Sequence, residues 1–205
     1  ARMARQRGIS INEDHAYGAL GSDPIAPIAS LAPHHCWHIA STSKLISPAL
    51  RVAYLRAPSI AAALRLASDV HETTIMAAPL NVAIVGEWIR NGTFARLIAA
   101  MRAETRRRQA LARAILDGLD YQGHADGYHL WLRLPAGMDP ADFGEVARRT
   151  GLTITPSSRF AVGPVTGNAV RVSLGGHLDL DGLGAGLRLL RAYLADGAMT
   201  RTVIV

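Results

Sequence analysis

Apolar residues fill every second position of Tyr128-His129-Leu130-Trp131-Leu132-Arg133-Leu134, with Tyr128, Leu130, Leu132 and Leu134 on one face and His129, Trp131 and Arg133 on the other. That period of two is the mark of a half-buried strand. Residues 152–155 and 169–174 read as two further strands. The spacing predicts a helix over 140–150, with a proline near its first turn. It predicts another over 179–194, with Leu180, Leu183, Leu187, Leu190 and Leu194 as its buried stripe. This β-α-β-β-α order predicts a small α/β sandwich beyond Gly118.

The first half has a different pattern. The first ten residues hold no convincing first element, and residues 8–14 read as a short strand ending in acidic residues. A Gly/Pro/Ser-rich connection covers 18–33. Strands are expected at 36–40 and 51–55, with Tyr54 read as a core residue. A helix is expected at 60–67. Pro79 opens a helix that stops at Asn91-Gly92. Thr93 caps a long helix with Phe94, Leu97, Ile98, Met101, Leu111 and Ile115 on or near its apolar face, and Gly118 ends it. The tail 200–205 is β-prone.

Composition narrows the class. Of 205 residues 49% are hydrophobic, which is ample for a packed core. No run of about 18 uncharged apolar residues indicates a membrane span. One cysteine, Cys36, forbids an internal disulfide, and a reducing cytoplasm is the expected setting. The net charge of +6 could serve nucleic acid. The densest basic group, Arg102, Arg106, Arg107, Arg108 and Arg113, has the spacing of one helix and reads as a solvated face. Only 5% of residues are aromatic, too few for a base-stacking surface. His34-His35-Cys36-x-His38 fits no standard zinc spacing, so no metal is expected.

The chemistry concentrates in Ser41-Thr42-Ser43-Lys44-Leu45-Ile46-Ser47-Pro48-Ala49-Leu50-Arg51. A lysine that forms a Schiff base must reach a carbonyl carbon as a free amine. A phosphate on the same ligand needs hydroxyls, backbone N–H groups and a guanidinium fork. Lys44 fits the first need, and Ser41, Ser43 and Arg51 fit the second. Upstream, Asp14 could keep a pyridine nitrogen protonated, and Tyr17 could donate to a ring oxygen. Asp-x-x-Tyr followed by Ser-x-Ser-Lys-x-x-x-Pro-x-x-Arg is far more specific than either piece.

With these residues in place, 11–194 resembles the C-terminal half of a fold-type-I aminotransferase domain that uses pyridoxal phosphate. Residues 12–18 are similar to the family's aspartate strand. Residues 169–173 are similar to the strand whose arginine, here Arg171, grips a substrate α-carboxylate. The stretches 73–80 and 127–135 look most like MocR-type regulators, in which a GntR-type winged-helix domain precedes an aminotransferase-like domain.

The resemblance implies an α/β fold, with residues 1–80 as the end of the large cofactor domain. Residues 81–205 would then be connecting helices and a small C-terminal domain. It implies pyridoxal phosphate as cofactor, an amino acid or 2-oxo acid as ligand, and a homodimer. DNA contact would come only through an N-terminal domain that this chain lacks, and no membrane is involved. The main reading is a regulator's effector-sensing domain, and the alternative is a catalytic aminotransferase. The family's glycine-rich phosphate turn and ring-stacking aromatic belong to its first half, so this chain alone is expected to bind the cofactor weakly. Ser157-Ser158-Arg159-Phe160 departs from the family pattern.

Overall fold

The computed structural model describes residues 1–23, 25–164 and 167–202. The chain divides into two compact units, Ala1–Arg102 and Ala103–Val205.

In the first unit, α1 (Arg2–Arg7) precedes β1 (Ile11–Asp14), α2 (Ile28–Leu31) and β2 (Cys36–Ser41). Next come the single turn α3 (Thr42–Leu45), β3 (Ala53–Arg56), α4 (Ile60–Thr74) and α5 (Pro79–Arg90). The strands form one sheet in the order β1-β2-β3. β1 and β2 run parallel, and β3 is antiparallel to β2. A parallel pair needs a crossover, which the connection carrying α2 supplies. α1 was not expected, because its only buried side chain is Ala4 and no apolar stripe announces it.

α4 is longer than the sequence indicated. Of α4 and α5 together only Ala62 and Val85 are buried, while Ile60, Leu64 and Leu80 are exposed. Tyr54 corrects the core reading: it is exposed on β3.

α6 (Thr93–Ile115) spans the division between the units. Two side chains tie these connecting helices to the first unit. Asn81 donates to the Leu50 carbonyl at 2.9 Å, and Arg102 donates to the Ala19 and Leu20 carbonyls at 2.7 and 3.0 Å.

The second unit holds the order β4-β5-β7-β6, with β4 (Tyr121–Gly123), β5 (His129–Arg133), β6 (Thr153–Pro156) and β7 (Ala169–Ser173), all antiparallel. α7 (Pro140–Arg149) and α8 (Leu180–Thr202) cover one face. There Leu130, Leu132, Val170 and Val172 meet Phe143, Leu183, Leu187, Leu190 and Leu194 in one buried cluster. The expected stripe is found except at Leu180, which is exposed in the first turn. α8 continues through Thr202, so 200–202 are helical; 203–205 lie outside the described residues.

The arginines of α6 are not one solvated face. Arg108 is pinned at 2.7 Å to Glu104, and it donates to the Leu174 and Leu178 carbonyls at 2.9 and 2.7 Å. Arg106 pairs at 2.7 Å with Asp126, whose side chain is 3% exposed. Arg107 remains in solvent. The buried stripe of α6 is polar, Thr105 and Gln109 beside Ala112. Gln109 is accommodated because its amide donates to the Gly127 carbonyl at 2.6 Å.

No described helix is long and apolar enough to cross a membrane.

Candidate functional site

The parallel β1–β2 pair decides the site in the first unit. Asp14 is the last residue of β1 and pairs in register with Ile39, two positions before Ser41. Both C-terminal strand ends therefore open on the same edge of the sheet. Ser41 ends β2 and leads directly into α3, the turn that carries Ser43 and Lys44. β3 is antiparallel and enters at the same edge, since Ala53 pairs with Ser41. Arg51 stands just before it. One sheet edge thus gathers Asp14, Ser41, Ser43, Lys44 and Arg51, and Tyr17 comes three residues after Asp14. This is the C-terminal edge where open α/β sheets place ligands.

Local structure fixes each residue. The Asp14 carboxylate accepts the Ala16 N–H at 3.0 Å and bends the chain out of the strand. Tyr17 is 43% exposed at the start of the turn formed by Gly18–Leu20. Ser41 caps α3 by accepting the Ser43 N–H at 3.1 Å. Lys44 is exposed. It is also the only lysine among the 22 lysines and arginines of the chain. Arg51 is left-handed, with φ 50° and ψ 34°, a conformation few residues other than glycine adopt. Such a residue persists only where its neighbours hold it.

Beneath the edge lies a second cluster that hydropathy does not reveal. On the face opposite Asp14, the Glu13 carboxylate accepts the Ile28 and Ala29 N–H groups at 2.7 and 3.0 Å. It also meets His38 Nδ1 at 3.0 Å and Cys36 Sγ at 3.8 Å. Burial raises the Glu13 pKa, but the Ala29 N–H, His38 and the Ile28 N–H outweigh it and hold the value at about 2. Burial first, then the Glu13 charge, pushes the Cys36 thiol up. The His15 ring packs on His38 at 4.9 Å. Cys36 and His38 thus turn to a carboxylate, and no metal-type cluster is present among the described residues.

Arg171 belongs to the second unit and is described within it. Its register partners are Trp131 and Thr155, and Trp131 pairs in turn with Gln122. These four form a row on the sheet face away from the helices. The Arg171 guanidinium stacks on the Phe160 ring at 5.0 Å, and Phe160 meets Trp131 edge-on at 5.6 Å. Arg171 Nε is buried without a hydrogen-bond partner, and no acid among the described residues pairs with this arginine. A half-buried cation without an acid suits an anionic ligand. Beside it lies a hollow of ≈ 430 Å³ that Gln122, His124, His129 and Trp131 also line.

Two residues of the first unit escaped the sequence reading. Thr42 and Glu13 act through strand register, which no local motif encodes. The single lysine was a signal open to simple counting.

No protein-family model matches the sequence. The chain is 33% identical over 197 residues to the HTH-type transcriptional regulator YdeF of Bacillus subtilis, covering 96% of this chain and 42% of that protein. It is 27% identical over 199 residues to the 2-aminoadipate transaminase of Thermus thermophilus, covering 92% of this chain and 50% of that protein. The chain spans about half the length of the curated relatives it matches. Among solved structures it matches LysN, the α-aminoadipate aminotransferase of Thermus thermophilus complexed with N-(5'-phosphopyridoxyl)-L-leucine. The TM-score is 0.80 at 23% identity, over 95% of this chain and 52% of that one. The kynurenine aminotransferase of Pyrococcus horikoshii matches with TM-score 0.82 at 18% identity, over 96% and 50% of the two chains. Over nearly its whole length the chain is thus similar in sequence to HTH-type transcriptional regulators and to a transaminase, and its fold is that of fold-type-I aminotransferases, of which it spans about half.

Proposed function

We propose that this chain forms part of the effector-sensing domain of a MocR/GntR-type transcriptional regulator and holds pyridoxal phosphate. The observation that carries the reading is the single sheet edge that collects Asp14, Ser41, Ser43, Lys44 and Arg51. The donor set fits the group: one amine, one carboxylate, hydroxyls and a guanidinium. When bound, the cofactor supplies an aldehyde carbon and an electron-withdrawing ring.

Each residue has a distinct task in this reading. Lys44 holds the aldehyde carbon covalently through its ε-amine. Asp14 keeps the pyridine nitrogen protonated, and Tyr17 donates its phenol hydrogen to the ring oxygen. Ser41, Ser43 and Arg51 bind the phosphate, where charge-assisted hydrogen bonds are strongest. Arg171 takes the α-carboxylate of an amino acid or 2-oxo acid ligand, a role supported by its aromatic stacking and its lack of an acid partner among the described residues.

By the same reading, residues 1–80 end a large cofactor domain, and 81–205 are connecting helices and a small domain. The full-length protein is a cytoplasmic homodimer that reaches DNA through a separate N-terminal domain. The 33% identity to an HTH-type regulator over nearly the whole chain favours this reading. The 27% identity to a transaminase favours the alternative, a working aminotransferase. In that case Lys44 would also move the proton at the substrate Cα.

Two assays on the full-length protein separate the readings. A regulator changes its DNA affinity when amino acid is added and turns over no amino donor. An enzyme transfers the amino group to a 2-oxo acid at a steady rate.

A further inference from the structure

We propose that Thr42 is a positioning residue that couples Lys44 to Arg51, so that one ligand can engage both. This rests on the cofactor reading above. Thr42 is 1% exposed. Its hydroxyl donates to the Val52 carbonyl at 2.9 Å, and its own N–H donates to the same oxygen at 3.1 Å. Its carbonyl accepts the N–H groups of Ile46 and Ser47 at 2.9 and 3.1 Å. One residue therefore closes both the turn that carries Lys44 and the loop that returns to Arg51.

The geometry explains why a hydroxyl is needed there. Ser41 and Ala53 are the last register pair of β2 and β3, so Thr42 and Val52 continue that ladder by one step. Val52 is 2% exposed, and its carbonyl accepts both the hydroxyl and the N–H of Thr42. Without the hydroxyl, only the N–H bond would remain at this step. Arg51 immediately precedes Val52, and the anchored Val52 carbonyl helps to hold it in its left-handed conformation. A ligand with an aldehyde at one end and a phosphate at the other needs Lys44 and Arg51 at a fixed separation. A ligand with the aldehyde alone needs only Lys44. Thr42 acts on the first kind and is indifferent to the second.

The test compares pyridoxal phosphate with pyridoxal, which lacks the phosphate, on the full-length protein. Affinity is read from the cofactor absorbance and from borohydride-trapped mass. Thr42→Val keeps the shape and removes the hydroxyl; Thr42→Ser keeps the hydroxyl. Thr42→Val is expected to weaken pyridoxal phosphate roughly five-fold, the scale of one net hydrogen bond, while pyridoxal affinity stays within about two-fold and Thr42→Ser behaves as wild type. Equal losses for both ligands, no loss for either, or a Thr42→Ser as poor as Thr42→Val would each overturn the coupling role. A wild type that holds pyridoxal phosphate no better than Lys44→Ala and Arg51→Ala would instead sink the cofactor reading itself, and the coupling role with it.

Discussion

Glu13 and His38 are register partners across the parallel β1–β2 pair, with carboxylate Oε2 and imidazole Nδ1 3.0 Å apart, one residue before Asp14. The carboxylate also holds the first N–H groups of α2, so a single charge ties the crossover to both strands. Its pKa of about 2 lies below the ordinary value of 4.5. The unfolded chain therefore binds a proton that the folded chain refuses between those values. The resulting stabilisation is complete above about pH 5 and is lost as the pH falls toward 2. Urea midpoints measured between pH 7 and pH 3 should fall steeply in the wild type. Glu13→Gln should start lower and show a flatter profile, and equal slopes would contradict the assignment.

Two glycines of α8 should respond in opposite directions to alanine. A Cβ at Gly186 would lie 2.8 Å from Leu152 Cδ1, 2.9 Å from its Cγ and 3.0 Å from Thr150 Oγ1. The helix packs too closely there, and overpacking costs about 1–3 kcal/mol. A Cβ at Gly184 meets only the Arg188 guanidinium, at 3.5 Å. Gly184→Ala should therefore gain part of the roughly 1 kcal/mol by which alanine favours a helix over glycine. Thermal unfolding of the two variants should shift the midpoint down for Gly186→Ala and up for Gly184→Ala.

How far the sequence discloses an element depends on what that element uses to hold itself. β5 and α8 bury plain leucine stripes, and their periods are visible in the chain. α6 buries Thr105 and Gln109, which are polar residues with partners supplied by the fold, so hydropathy finds the half-buried flank with Leu111 and Ile115 but not the most buried stripe. β4 is three residues long and carries no alternation to detect. In the site, Lys44, Ser41, Ser43 and Arg51 sit within one short run and are legible together. The Thr42–Val52 latch and the Glu13 cluster depend on strand register and appear only after folding. The surroundings of the Arg171 guanidinium, with Phe160 stacked on it and no acid among the described residues, are likewise a product of the fold that a motif cannot state.

Arg171 should be nearly dispensable for stability and important for ligand binding. It has no acid partner among the described residues, so Arg171→Lys removes only its stacking on Phe160, worth about 0.5–2 kcal/mol. Lysine keeps the charge but loses the planar fork that grips a carboxylate at two points. Calorimetric titration of the cofactor-loaded full-length protein should show amino-acid affinity reduced about tenfold or more, with cofactor affinity unchanged. Parallel loss of both would mean that Arg171 serves the fold.

The central claim is that Lys44 is the residue that holds the cofactor aldehyde. It supplies the only ε-amine in these 205 residues. The most direct measurement is borohydride reduction of the full-length protein loaded with pyridoxal phosphate, with peptide mapping by mass spectrometry as the readout. The account predicts one phosphopyridoxyl group, on the peptide that contains Ser41, Lys44 and Arg51, and none in Lys44→Ala. A label on another amine, or the same label yield in Lys44→Ala, would contradict it.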